Sequence, residues 1–301
     1  MRNITRRWLI AAAVLVVFGC ILFAAVMTVY GWDVSALSTE TYETNTYAVS
    51  EAFDGIRMET DTADIEFLLS SDGSCSVVCY EEATAKHTVK VIDGTLTVRV
   101  VDTRSWYDHI NIMTETPKIT VYLSKTAYAF LSIDESTGDV EIPKGFSFDR
   151  LNIEASTGDI RAEGVTAGSM EISLSTGSVT LADIACAGDL SIRVSTGDTN
   201  ITDTVCGNLT SRGSTGMISM TNVFTEETIS IERSTGDVRF GGCDAANLSV
   251  RTDTGDVTGT LLSDKIFLAK SDTGSVDVPE STRGGKCEII TDTGDIRIEI
   301  R

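Results

Sequence analysis

The stretch LSIDESTGDVEIPKGFSFDRLNIEASTGDI, residues 131–160, decides the fold because it holds two copies of one pattern. In each copy, apolar residues lie seven and five positions before the glycine of Ser-Thr-Gly-Asp, and two and four positions after it. Leu151 and Ile153 precede Gly158 in this way, and Ile160 and Ala162 follow it. Alternation with a period of two predicts a β-strand on each side of a turn.

The tetrapeptide Ser/Asp-Thr-Gly-x recurs nine times, and successive glycines are 19 or 20 residues apart: Gly138, Gly158, Gly177, Gly197, Gly216, Gly236, Gly255, Gly274 and Gly294. A strand–turn–strand unit that returns at this spacing predicts a chain that winds in coils, each coil stacking its apolar side chains on the next. We therefore predict an all-β fold, a parallel β-solenoid with coils of about 19–20 residues. Helical repeats are excluded because no 3.6-residue period occurs within a unit.

The recurring tetrapeptide is first of all a structural corner. Its glycine tolerates the positive φ that a tight turn between strands requires. The Ser or Asp two positions before the glycine is expected to cap the turn through its side-chain oxygen.

The N-terminus carries an apolar run, Trp8–Tyr30, of 23 residues without a charge. This length predicts a transmembrane helix over 8–30. Because Arg2, Arg6 and Arg7 precede it, residues 1–7 are predicted to be a cytoplasmic tail and the C-terminal domain extracytoplasmic, giving a single-pass protein of the cell membrane. A cleaved signal peptide is the first alternative, and a lipoprotein signal ending at Cys20 is the second.

The remaining residues divide by pattern into three parts. Residues 31–49, rich in Ser, Thr and Glu, are predicted to be a polar stalk. Residues 50–130 are strand-rich and are predicted to form an N-terminal β capping region, in which Asp61-Thr62-Ala63-Asp64 looks like a decayed corner; residues 131–301 form the solenoid repeats. The stretch Trp106–His109 is expected to be a loop.

Composition excludes several function classes. The chain has 44 acidic and 24 basic residues, a formal charge of −20, which argues against binding nucleic acid or anionic lipid headgroups. It has only two histidines, so a three-histidine metal site is impossible.

Acidic residues at the corners are candidate ligands for Ca²⁺, because stacked carboxylates repel one another and Ca²⁺ prefers oxygen ligands. The candidates lie in the last three coils: Asp253, Asp256, Asp272, Asp292 and Asp295. The alternative is a row of solvated turns, and no other cofactor is expected. The Asp-Thr-Gly triplets also imitate those of aspartic proteases, but their register with the other corners explains them as turns.

Other residues leave alternatives open. Cys186 and Cys206 both lie nine positions after a corner glycine, so they should stack one coil apart, either as a disulfide or as buried thiols. The coil at 209–220 departs from the pattern at Ser211, Gly213 and Met217, which fits either repeat drift or a polysaccharide-active site. No catalytic residue is predicted.

The sequence resembles the bacterial DUF4097 family of β-strand repeat proteins, also named as an adhesin family. The resemblance covers about residues 50–301 and is carried by Phe53-Asp54-Gly55-Ile56, Asp93-Gly94-Thr95-Leu96, Pro117–Leu123 and the Ser/Asp-Thr-Gly-Asp series. Ser124 stands where many members have Pro. The resemblance implies a β-solenoid at the cell envelope and no activity.

These observations together predict a membrane-anchored, extracytoplasmic, non-catalytic module that binds or scaffolds at the bacterial cell envelope. Its expected partners are the lipid bilayer, through residues 8–30, and an unknown envelope protein or polysaccharide. The alternative is an envelope-stress sensor or regulatory partner of another membrane protein, with a polysaccharide-active enzyme less favoured.

Overall fold

The computed structural model describes residues 2–29, 31–32, 41–102 and 115–301, with side chains from residue 6 onward. The predicted loop Trp106–His109 lies outside the described residues. The elements are α1 (Arg2–Val29), β1 (Tyr42–Val49), β2 (Gly55–Thr62), β3 (Asp64–Leu69), β4 (Cys75–Glu82), β5 (Ala85–Ile92), β6 (Thr95–Asp102), β7 (Lys118–Leu123), β8 (Ala127–Thr137), β9 (Val140–Ile142), β10 (Ser147–Thr157), β11 (Ile160–Glu163), β12 (Thr166–Thr176), β13 (Val179–Ala182), β14 (Ala185–Thr196), β15 (Thr199–Thr215), β16 (Ile218–Thr225), β17 (Thr228–Thr235), β18 (Val238–Cys243), β19 (Asn247–Thr254), β20 (Val257–Leu261), β21 (Lys265–Thr273), β22 (Val276–Asp277), β23 (Gly285–Thr293) and β24 (Ile296–Ile300).

The strands form two stacked rows that meet at the Ser/Asp-Thr-Gly corners. The first row holds the strands before each corner, in the order β5-β6-β2-β8-β10-β12-β14-β15-β17-β19-β23-β21. The second row holds the strands after each corner, in the order β1-β4-β7-β3-β9-β11-β13-β15-β16-β18-β20-β24-β22. From β6 and β7 onward both rows are parallel, which confirms the predicted parallel solenoid.

Apolar side chains stack in continuous rows inside the coils. Leu151 pairs in register with Leu131 on one side and Met170 on the other, and Met170 pairs with Leu190. All four are at most 1% exposed. Their removal from water is the main driving force for stacking one coil on the next.

Coils do not stack strictly in sequence order, which corrects the expectation that each coil lies on the next. At the C-terminal end β23 lies between β19 and β21, so the last coil of the sequence is inserted beneath the coil of β21 and β22. At the N-terminal end the coil of β2 and β3 likewise lies between β6–β7 and β8–β9. At the C-terminal end, the outermost coil is therefore not the last coil of the sequence.

The predicted stalk over residues 31–49 is wrong for its second half, because Tyr42–Val49 forms β1 and pairs antiparallel with β4. Tyr47 and Val49 alternate onto the core face of this strand and pack against the buried cluster. The antiparallel strands β1, β4 and β5 interrupt parallel pairing at this end of the stack, which is one way in which sheets avoid unwanted strand addition.

Helix α1 includes one segment, Arg6–Val29, that is long and apolar enough to cross a membrane. An uncleaved anchor and a signal sequence both have this character.

Candidate functional site

Aspartates at the corners, all but Asp64 directly after a corner glycine, form a ladder of hydrogen bonds along the stack. The side-chain oxygen of Asp139 accepts the amide N–H of Asp159 at 2.8 Å, and that of Asp159 accepts the amide of Ser178 at 2.9 Å. Seven aspartates accept an amide from the neighbouring coil: Asp64, Asp139, Asp159, Asp198, Asp237, Asp256 and Asp295. The capping oxygen thus comes from the residue after the glycine, not from the residue two positions before it.

Two of the five predicted Ca²⁺ ligands, Asp256 and Asp295, belong to this ladder. Asp256 accepts the amide of Asp295 at 2.8 Å, and Asp295 in turn accepts the amide of Ser275 at 2.7 Å, which lowers the pKa of Asp295. The other three, Asp253, Asp292 and Asp272, are exposed on three adjacent coils, in that spatial order.

Asp272 also forms an ion pair with Lys270 at 2.6 Å. The three Asp-Thr-Gly triplets follow one another along a single row. They do not face each other across a cleft, which an aspartic protease would require.

Arg233 explains most of the departures from the repeat that the sequence shows. Its side chain is 4% exposed and lies in an interior row between Gly213 and Thr252; the same row holds the apolar side chains of Val194 and Leu174 two and three coils away. The guanidinium donates to the hydroxyls of Ser211 at 2.9 Å and Thr199 at 3.2 Å.

Gly213 provides the space for this guanidinium, because a Cβ at Gly213 would lie 2.0 Å from Nη1 of Arg233. Burial lowers the pKa of Arg233 to about 10, so the side chain is still charged at neutral pH. Its Nε has no hydrogen-bond partner among the described residues. Ser211 and Gly213 are therefore adaptations to one buried cation.

A shallow groove of about 420 Å³ lies beside this arginine, along the corner of the first row. Arg193, Arg212 and Arg251 line it on the outer face, together with Ser195, Ser214 and two acidic residues, Glu232 and Asp253. Arg193 pairs with Glu171 at 2.7 Å and Arg212 with Glu232 at 3.0 Å. A chain with a net charge of −20 thus gathers arginines from three coils on one surface. We call this surface, Arg193, Ser195, Arg212, Ser214 and Arg251, the arginine groove.

The same corner becomes acidic toward the N-terminal end, where Asp134, Glu135 and Glu154 line the next groove. Glu135 is 2% exposed, and burial raises its pKa to about 8. It occupies the same interior position of its coil as Arg233 does in its own, since Glu135 pairs with Ala155 and Gly213 pairs with Arg233.

A second buried polar cluster lies in the N-terminal end of the stack, between β4 and β5. Nδ1 of His87 lies 2.7 Å from a carboxylate oxygen of Glu81, and Nε2 lies 3.0 Å from the hydroxyl of Thr60. The other oxygen of Glu81 accepts from Asn45 at 2.8 Å. Glu81 is 0% and His87 4% exposed. The hydroxyl–imidazole–carboxylate line has the order of a catalytic triad, but a buried Thr60 offers a substrate no access.

The thiol of Cys79 completes this cluster. Its sulfur, a carboxylate oxygen of Glu81 and a ring nitrogen of His87 all lie within 4.8 Å of one another. Within the described part of the chain, this is the group in which three His, Cys, Asp or Glu side chains lie close enough together to hold one metal ion. The five predicted Ca²⁺ ligands do not belong to it. Burial, followed by the charge of Glu81, raises the pKa of Cys79 to about 12.

Sequence reasoning missed both buried clusters, although each left a signal. Arg233 is a cation in an interior row that otherwise holds Ala155, Leu174, Val194, Gly213 and Thr252, with Glu135 farther along it. Cys79 and Glu81 share the core-facing register of β4, where a carboxylate is unusual. Cys186 and Cys206 do stack in register, as predicted, and both are buried free thiols.

Comparisons with known proteins agree with the fold. The sequence profile of the family described as Toastrack DUF4097 matches residues 53–299. A crystal structure of a proposed lipid-binding protein from Parabacteroides distasonis has a TM-score of 0.55 and 14% identity, covering 87% of this chain and 98% of its own. A proposed adhesin from Bacteroides fragilis has a TM-score of 0.46 and 15% identity, covering 86% of this chain and 97% of its own. At these identities the likeness is one of fold alone. Among curated proteins, none matches the chain.

Proposed function

The chain belongs to the Toastrack DUF4097 family, and we propose that it is a membrane-anchored, extracytoplasmic, non-catalytic module that binds an anionic polymer of the bacterial cell envelope. The apolar segment 8–30 supplies the anchor, with the arginines that precede this segment retained in the cytoplasm. The solenoid then presents a rigid surface outside the membrane.

The observation that carries this proposal is the arginine groove. Arginine binds carboxylate and phosphate groups with paired N–H donors, and serine hydroxyls beside it add further donors. The three arginines lie along one row of the stack, with Glu232 on the coil between those of Arg212 and Arg251. Several cationic positions along one surface suit a polymer with several anionic groups better than a small molecule. Arg251 has no ion-pair partner among the described residues, so its guanidinium is free for a ligand.

The test is binding of the full chain, reconstituted in detergent, to isolated cell-wall polymer that carries anionic groups. We expect Arg251→Glu to reduce binding about tenfold or more, because charge reversal adds repulsion to the lost hydrogen bonds. Arg150→Glu is the matched control, since Arg150 is exposed on the first row but lies outside the groove. Equal binding by wild type and Arg251→Glu, or equal losses in both variants, would contradict the proposal.

One observation favours the alternative role, a regulatory partner of another membrane protein. The outermost coil exposes Ile266 and Leu268 by 48% and 59%. Site-specific cross-linking from residue 268 in membranes would detect such a partner, and cross-links confined to lipid would argue against it.

The Ca²⁺ proposal for Asp253, Asp256, Asp272, Asp292 and Asp295 has a separate test. Calorimetry of the full chain with millimolar Ca²⁺ should give heat and a raised melting temperature if these carboxylates bind the ion. Absence of both would end it.

A further inference from the structure

We propose that Cys79, Glu81 and His87 bind one divalent transition-metal ion, of which Zn²⁺ is the first candidate, inside the N-terminal end of the stack. Thiolate sulfur, imidazole nitrogen and carboxylate oxygen are the three donor types that Zn²⁺ takes from proteins. The site goes beyond the proposed binding function, because it lies in the interior and not in the arginine groove.

Charge balance is the first argument. Glu81 is fully buried, and its ion-pair partner among the described residues is His87, which compensates a carboxylate only when it is protonated. A buried carboxylate without a compensating charge is costly. A divalent ion held by one carboxylate and one thiolate, with a neutral imidazole, makes the buried set neutral.

Orientation is the second argument. Metal-bound histidine ordinarily uses its other ring nitrogen for a hydrogen bond that fixes the ring. Here Thr60 lies 3.0 Å from Nε2 of His87, which leaves Nδ1 directed at Glu81. Asn45 holds the other carboxylate oxygen of Glu81 at 2.8 Å. The donors that face one another are therefore held from behind by side chains that would not ligate.

Space is the third argument. Nδ1 of His87 and the facing oxygen of Glu81 lie 2.7 Å apart, joined by a hydrogen bond. Two ligands of a tetrahedral zinc ion lie roughly 3.3 Å apart, given metal–ligand distances of ~2.0–2.1 Å. Side-chain rotations that separate these two atoms by about half an ångström more would make room for the ion between them. The sulfur of Cys79, within 4.8 Å of a ring nitrogen of His87 and a carboxylate oxygen of Glu81, supplies the third donor.

The site joins the two rows of the stack. Cys79 and Glu81 lie on β4 in the second row, whereas His87 lies on β5 in the first. A bound ion would cross-link the antiparallel strands that close this end, so binding should stabilise the folded chain.

The experiment uses the full chain in detergent, stripped of metal with a chelator and then titrated with Co²⁺ and with Zn²⁺. We expect one equivalent of Co²⁺ to give a thiolate-to-metal charge-transfer band, and one equivalent of Zn²⁺ to abolish the band and raise the melting temperature. Cys79→Ser should lose the band. Cys75→Ser is the matched control, because Cys75 is buried on the same face of β4 four residues earlier, and this variant should keep it.

A further variant tests whether a lost charge-transfer band could result from misfolding. Thr60→Val removes the hydrogen bond to Nε2 without removing a ligand, so it should keep the band but weaken Co²⁺ affinity about 10–100-fold. A wild-type chain that takes up no Co²⁺ or Zn²⁺, or a band that survives Cys79→Ser, would overturn the assignment.

Discussion

Two ionisable side chains, Glu135 and Arg233, lie in the same interior row of the stack, and each affects stability locally. Arg233 depends on Ser211, whose hydroxyl accepts from the guanidinium at 2.9 Å. We expect Ser211→Ala to lower the free energy of unfolding by about 1–3 kcal/mol, because a buried charged donor loses its acceptor. In an Arg233→Leu background the same change should cost much less, and a double-mutant cycle by urea unfolding measures the difference. A coupling near zero would show that the two side chains act independently.

Glu135 makes stability depend on pH. In the unfolded chain its pKa is near 4.5, whereas burial raises it to about 8 in the fold. Between these two pH values the folded chain keeps a proton on Glu135 that the unfolded chain has released. The free energy of unfolding therefore falls as pH rises through this range. The stabilisation is fully present below the unfolded pKa and is lost once pH has passed the folded pKa. We expect unfolding free energy to fall from pH 5 to pH 8 by up to ~1.4 kcal/mol per unit.

The control for this prediction is a neighbouring carboxylate. Glu135→Gln should flatten the profile, whereas Glu154→Gln, exposed on the next coil, should leave the slope unchanged. An identical slope in wild type and Glu135→Gln would mean that another group titrates.

The sequence identifies individual residues but not the partners that their side chains contact. The aspartates after the corner glycines are visible as a repeated residue, but the sequence does not show whether their oxygens face a cation or an amide of the next coil. Cys79 and His87 come together only because the chain passes directly from β4 in the second row to β5 in the first, and both side chains face the interior; no spacing rule encodes this arrangement.

The corner is the element on which the stack depends. Gly197 has φ +135°, and a Cβ at this residue would lie 1.9 Å from the carbonyl oxygen of Gly177 in the adjacent coil. Gly197→Ala therefore combines backbone strain with a clash against fixed backbone, and we expect a loss of about 2–4 kcal/mol. Gly145→Ala separates the two effects, because Gly145 has φ +100° and open space around it. This control should lose only ~1–2 kcal/mol. If thermal unfolding shows equal losses of stability in Gly197→Ala and Gly145→Ala, the clash with the adjacent coil contributes nothing beyond backbone strain.

The positions of the strands can be predicted from the sequence because two independent signals, the alternation of apolar residues and the corner glycine, agree. Alternation places Leu151 and Ile153 inward, and the glycine fixes where the strand ends. Coil order could not be predicted in the same way. Cys287 and Phe267 are both apolar at the position that stacks on Leu248, and both coils end in Asp-Thr-Gly, so either satisfies the pattern.

At the scale of the whole molecule, the inverted order makes a prediction that distinguishes it from simple sequential stacking. The coil of β21 and β22 is outermost, although 24 residues follow Asp277 in the sequence. An edge strand leaves part of its backbone unpaired, and its amides open easily to solvent. The coil of β23 and β24 is instead covered on both sides, by β19–β20 and by β21–β22.

Hydrogen–deuterium exchange on the full chain should therefore show rapid exchange across Lys265–Asp277 and slow exchange across Gly285–Thr293, despite the proximity of the latter to the C-terminus. The interior strand Asn247–Thr254 serves as the reference for full protection. Sequential stacking would reverse this ranking, since the final coil would then form the open edge. The exposed Ile266 and Leu268 lie on the fast-exchanging strand, so slow exchange there in membranes, but not in detergent, would indicate that a partner covers this edge.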